Sequence, residues 1–137
     1  MSGPDGAPIR VAIVDDQALF RAGIRMLLES QSDLEIVGEA ADGEAAIEVV
    51  AAAAPDVVLM DLRMPRLDGI EATARIVASG SRARIVVLTT FDLDEAAARA
   101  IRAGASGFLL KDAEPDLLLA AVSTVHAGSA VIAPGAT

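Results

Sequence analysis

Three aspartates, a threonine and a lysine stand out because each closes an apolar run of strand length. Asp15 and Asp16 follow Ile9–Val14, Asp61 follows residues 57–60, Thr89 and Thr90 follow residues 85–88, and Lys111 follows Gly107–Leu110. Taken singly, an aspartate after a strand reads as a helix N-cap, a lysine as solvated surface and a threonine as a strand residue. Taken together they make a complementary set. Two carboxylates about 4 Å apart repel by roughly 4 kcal/mol at an effective dielectric of about 20, so three in one crevice need compensation. A divalent cation supplies it, and oxygen-only ligands select a hard ion such as Mg²⁺. Such an ion keeps positions that water or phosphate oxygens can fill, which suits phosphoryl chemistry. Asp61 is then the nucleophile. Asp15 and Asp16 hold the metal, directly or through water. Lys111 neutralises a phosphoryl oxygen and the Thr89 hydroxyl bonds another.

These groups converge only if the chain builds one sheet. Five apolar runs, Ile9–Val14, Leu34–Ala40, 57–60, 85–88 and Gly107–Leu110, alternate with segments of helical period. The third and fourth runs are apolar throughout, as expected of parallel strands covered on both faces. The first helix is predicted over 18–30, with Leu19, Gly23, Met26 and Leu27 on its core stripe. Asp42 and Asp68 are N-caps of the second and third helices. Asp68 has Glu71 three residues on, close to a capping box. The fourth helix spans Asp94–Ala103 and stops at Gly104. The fifth opens at Glu114-Pro115 and ends near Gly128. Five β-α units predict an α/β doubly wound sheet with right-handed crossovers. Its ligands belong beyond the carboxyl ends of the strands.

Composition narrows the function. The chain has 137 residues, 53% of them apolar, enough for one domain. Residues 1–8 read as a flexible N-terminus without a signal peptide, 9–127 as the domain, and 128–137 as a tail or the start of a linker. The net charge of −9 and the 2% aromatic content oppose direct binding to DNA or base stacking. There are no cysteines, which excludes thiolate chemistry. No run nears the ~18 apolar residues that span a bilayer, so a cytoplasmic location without membrane partners is expected.

The motifs also resemble a known family. Asp15-Asp16, the segment 55–65 around Asp61, Asp68-Gly69, Thr89-Thr90, and Gly104-Ala105 leading to Phe108-Leu109-Leu110-Lys111-Asp112 are similar to the receiver domain of bacterial two-component response regulators. The likeness covers about residues 9–127. Phe20-Arg21-Ala22-Gly23, Thr89-Thr90-Phe91-Asp92 and residues 107–112 resemble the NarL/FixJ type, whose members usually carry a C-terminal LuxR-type helix-turn-helix. The resemblance implies a flavodoxin-like fold of five parallel strands, order 2-1-3-4-5, and five helices. It implies that Asp61 accepts a phosphoryl group from a sensor histidine kinase. Mg²⁺ (or Mn²⁺) would be held by Asp16, Asp61 and the Arg63 backbone carbonyl, with Asp15 acting through water. Thr89 and Phe108 would form the switch pair. DNA would be bound only through an output domain outside this chain, and a stand-alone relay receiver is the alternative.

Other features sharpen these expectations. Where many relatives have proline after the lysine, this chain has Asp112, so a trans Lys111–Asp112 bond is expected. Arg63 either lies over the site or supplies only its carbonyl. An aspartate-nucleophile phosphatase would need an acid there, so turnover as an enzyme is not expected. A nucleotide-binding module would need a glycine-rich turn where Asp15-Asp16-Gln17 stands. His126 closes the fifth helix and complements its dipole. Leu117, Leu119 and Val122, with Phe20 and Ile24, are either a homodimer or docking surface or simply a wide core face.

Overall fold

The runs at 57–60 and 85–88 are apolar on both sides because both sides are covered. In the computed structural model, residues 7–64, 66–90, 94–128 and 131–133 are described, with backbone alone for 94–97 and 131–133. The elements in chain order are β1 (Ile9–Val14), α1 (Ala18–Glu29), β2 (Leu34–Ala40), α2 (Gly43–Ala53), β3 (Val57–Asp61), α3 (Gly69–Ala78), β4 (Arg84–Thr89), α4 (Asp94–Ala103), β5 (Gly107–Leu110), α5 (Pro115–His126) and β6 (Val131–Ala133). All strand pairs are parallel, in the order β2-β1-β3-β4-β5-β6. The five expected strands stand in the expected order.

Alternate strand residues feed two cores. On one face Val58, Met60, Ile85, Val87 and Phe108 pack with Ala46 and Val50 of α2, Ala72 and Ile76 of α3, and Ala100 of α4. On the other, Ile13, Leu59, Val86, Leu88 and Leu109 pack with Ile24 and Leu28 of α1 and with Leu118, Val122 and Val125 of α5. Helix starts follow local chemistry. The Asp42 and Asp68 carboxylates accept from the Ala45 and Glu71 amides, at 2.8 and 2.9 Å. Pro115 opens α5, and Gly104 follows α4 at φ 112°, a conformation that favours glycine.

Three expectations are corrected. The core stripe of α1 is Ile24 and Leu28, flanked by Phe20 and Leu27, whereas Leu19 and Met26 are 88% and 73% exposed. The stripe 20/24/27/28 holds four large side chains, while the alternative includes Gly23, so the observed rotation buries more apolar area. For the same reason Ile24 is not interface surface, and Val122 of α5 is fully buried. Leu117 is exposed, and Leu119 and Phe20 are partly so. Finally, part of the predicted tail is a strand. Beyond Gly128, at φ 101°, β6 pairs with β5 and sets Ile132 opposite Phe108. Residues 131–133 are Val-Ile-Ala, whose β-branched members suit a strand, and β6 covers the edge that β5 would otherwise expose. Residues 1–6, 129–130 and 134–137, in the predicted N-terminus and tail, lie outside the described residues, as do Pro65, Phe91 and Asp92 of the quoted motifs.

Candidate phosphoacceptor site

Strand order brings the carboxyl ends of β1, β3, β4 and β5 side by side, so the side chains that close them share one crevice. Asp15, Asp16 and Asp61 each present a carboxylate oxygen within 4.8 Å of the others. Asp15 and Asp61 are buried and Asp16 is exposed. The Lys111 ammonium lies 2.7 Å from Asp15 Oδ2 and 3.4 Å from Asp61 Oδ1. Thr89 is buried at the end of β4, its carbonyl accepting from the Lys111 amide at 2.7 Å. Phe108 is fully buried one strand over. Of the residues expected at the acidic site, Asp15, Asp16, Asp61, Thr89 and Lys111 therefore stand at the crevice, and Phe108 lies in the core behind it.

Backbone geometry holds the carboxylates in place. The Asp15 amide donates to the Ala40 carbonyl at 3.0 Å, and Asp15 Oδ1 accepts from the Gln17 amide at 2.8 Å. The Leu62 amide donates to Leu88, and the Arg63 amide donates to the Asp61 carboxylate. Under Asp61, Gly69 lets the start of α3 approach closely: a Cβ there would collide with the Asp61 backbone oxygen. Arg63 is exposed. It lines a cavity of about 460 Å³ beside the site, with Asp16, Met64, Asp68 and Arg99.

Burial beside another carboxylate is visible in Asp61, whose pKa rises from an ordinary 3.8 to about 6. Burial is the largest cause and the Asp15 charge the second, with Lys111 and the Arg63 amide pulling the other way. One ammonium thus offsets only part of the cost of burying Asp61 beside the Asp15 carboxylate. The donor set is hard oxygen throughout, and the cluster carries excess negative charge, so these residues fit a divalent cation.

Two contacts of Lys111 were not read from the sequence. Its ammonium also lies 3.1 Å from Gln17 Oε1 and 4.5 Å from the centre of the Phe20 ring. Gln17 was visible as the residue after the acidic pair. Phe20 is expected either on a dimer or docking surface or on a wide core face, and its approach to Lys111 depends on how α1 is rotated. The Lys111–Asp112 bond is trans, as are all peptide bonds among the described residues. His126 lies at the opposite end of the sheet, in a groove with Asp56, Arg82 and Arg84.

Residues 11–123 match the response regulator receiver domain family. The chain belongs to that family. Among its relatives is the uncharacterized transcriptional regulatory protein YxjL of Bacillus subtilis, 46% identical over 90% of this chain and 56% of the relative. Another is the nitrate/nitrite response regulator NarL of Escherichia coli, 35% identical over 95% of this chain and 60% of the relative. The crystal structure of a LuxR-family two-component response regulator from Aurantimonas superposes with a TM-score of 0.89 at 36% identity, covering 93% of this chain and 91% of that one. The chain thus spans little more than half the length of these curated relatives, and it is a receiver domain of the NarL/LuxR type. Receiver domains bind Mg²⁺ at such an acidic cluster and interact with histidine kinases. No helix among the described residues is long and apolar enough to cross a membrane.

Proposed function

We propose that this receiver takes a phosphoryl group from a histidine kinase onto Asp61 and relays its presence to an output domain. The observation that carries this reading is the Lys111 ammonium, held between Asp15 and Asp61 inside a cluster of three carboxylates. At neutral pH Asp61, with its pKa near 6, is mostly ionised and able to attack phosphorus. A phosphorus–oxygen bond forms at Asp61 as the phosphorus–nitrogen bond of the donor's phosphohistidine breaks. Lys111 then pairs with a phosphoryl oxygen, and the Thr89 hydroxyl donates to another. Asp15, Asp16, Asp61 and the Arg63 carbonyl would hold Mg²⁺, which when bound neutralises charge on the transferring group.

Because Arg63 stands where a phosphatase would keep its acid, the chain acts on itself and does not turn over phosphoesters. The switch is the Thr89–Phe108 pair. Movement of the threonine toward the phosphoryl group vacates space for the ring, and phosphorylation shifts the population toward that arrangement. Relatives named as transcriptional regulators support a DNA-binding output. The net charge of −9 opposes direct contact of this chain with DNA, which supports an output carried by another part of the protein.

Incubation with a small acyl phosphate and Mg²⁺ should add one phosphoryl group by mass spectrometry. Asp61→Ala should abolish it, and so should chelation of the metal. Undiminished labelling in either case would refute the assignment.

A further inference from the structure

β2 contains an irregularity whose effect reaches the acidic cluster. Val11 pairs with Ile36 but Ala12 pairs with Gly38, so Val37 is an extra residue in β2. Such bulges re-aim the side chains beyond them. Leu34 and Ile36 pack on the α1 side of the sheet. Strict alternation would then turn Glu39 toward α2. With the bulge, Gly38 faces α2, where a Cβ would strike Val49, and Glu39 faces α1. There Glu39 Oε1 accepts from Arg21 Nε at 3.0 Å, and Oε2 lies 2.6 Å from Arg25 Nη2. The guanidinium so oriented donates through Nη1 to the backbone carbonyl of Asp15.

Besides the ion pair with Lys111, three hydrogen bonds therefore fix Asp15 and the peptide that links it to Asp16. They run from its amide to Ala40, from its carboxylate to the Gln17 amide, and from its carbonyl to Arg21. Asp16 is the exposed member of the cluster and has the least packing to hold it. Its aim depends on that peptide. Residues one shell behind metal ligands commonly set their orientation, and with it the affinity.

We infer that Arg21, aimed by Glu39 from the β2 bulge, is the positioning residue that sets the Asp15–Asp16 turn for divalent-cation binding. This rests on reading the cluster as the cation-dependent site proposed above. Arg21 touches no reacting atom. Its effect belongs to cation affinity rather than to the maximal rate of phosphorylation.

The test is calorimetric titration of the 137-residue chain with MgCl₂, using wild type, Arg21→Gln, Arg21→Lys and Glu39→Gln, each checked for folding by circular dichroism. Arg21→Gln is expected to weaken Mg²⁺ binding about 10-fold. Glu39→Gln should weaken it less, and Arg21→Lys should recover part of the loss because an ammonium still donates to a carbonyl. At saturating Mg²⁺, labelling of Arg21→Gln by acetyl phosphate should return to near the wild-type rate. Folded Arg21→Gln and Glu39→Gln with wild-type affinity would overturn the inference. So would unfolding of both at the titration temperature, which would assign Arg21 to the fold. Wild type that binds no Mg²⁺ would defeat the underlying reading of the site, whereas unchanged variants beside a wild type that binds would defeat only the role of Arg21.

Discussion

Asp61→Asn should stabilise the metal-free protein at neutral pH while abolishing phosphorylation. Folding raises the Asp61 pKa from 3.8 to about 6, so between these values the folded chain holds more protons than the unfolded chain. Stability from this group is present in full below about pH 4, falls as pH rises through 6, and is absent above it. The difference at about 1.4 kcal/mol per pH unit corresponds to ~3 kcal/mol. Water reaching the open crevice screens part of this, leaving about 1–2 kcal/mol. Asparagine keeps the shape and removes the charge. Urea unfolding followed by circular dichroism, in a chelator, should show the variant more stable by that amount at pH 7.5. The two proteins should be nearly equal at pH 4. Added Mg²⁺ should close the gap by stabilising wild type more than the variant. Equal stability at pH 7.5, or the same gap at both pH values, would refute the argument that burial and Asp15 crowd Asp61.

The fold makes further predictions. Leu28→Ala removes a fully buried side chain of α1 and should cost about 2–5 kcal/mol, while Leu19→Ala, at an 88% exposed position, should change stability by less than about 0.5 kcal/mol; the reverse order in urea unfolding would refute the observed helix rotation. Gly69→Ala drives a methyl against the Asp61 backbone and should cost about 1–3 kcal/mol. It should also slow labelling of Asp61 at saturating Mg²⁺, and a wild-type rate would show that this close approach does not position the acceptor.

The ends of α2, α3 and α5 were legible because caps, proline and glycine act within a few residues. Asp42, Asp68 and Pro115 each satisfy or tolerate the free amides of a first turn, whatever packs nearby. The strands at 57–60 and 85–88 were legible because burial on both faces leaves no polar position. The site was legible as a coincidence of Asp15, Asp16, Asp61, Thr89 and Lys111 at strand ends. The rotation of α1 was not. Leu19, Phe20, Ile24, Met26, Leu27 and Leu28 support two stripes by period alone, and only packing against the sheet selects one.

Phe20 follows from that selection, since the chosen rotation sets its ring beside the Lys111 ammonium. The clamp on Asp15 follows from the bulge at Val37, which the apolar run of β2 does not announce. A register is a relation between two strands, and Glu39 turns to α1 because the bulge shifts the pairing of β2 with β1 and sets Gly38, rather than Glu39, against Val49. The sequence by itself determined which chemical groups end which strands, because local periodicity and capping decide where each element stops. Tertiary structure alone decided what those groups touch: which face of α1 meets the sheet, which partners share Lys111, and which arginine holds the acidic turn. Those contacts are settled by the burial and register of whole elements against one another, and that energy is not written in any one segment.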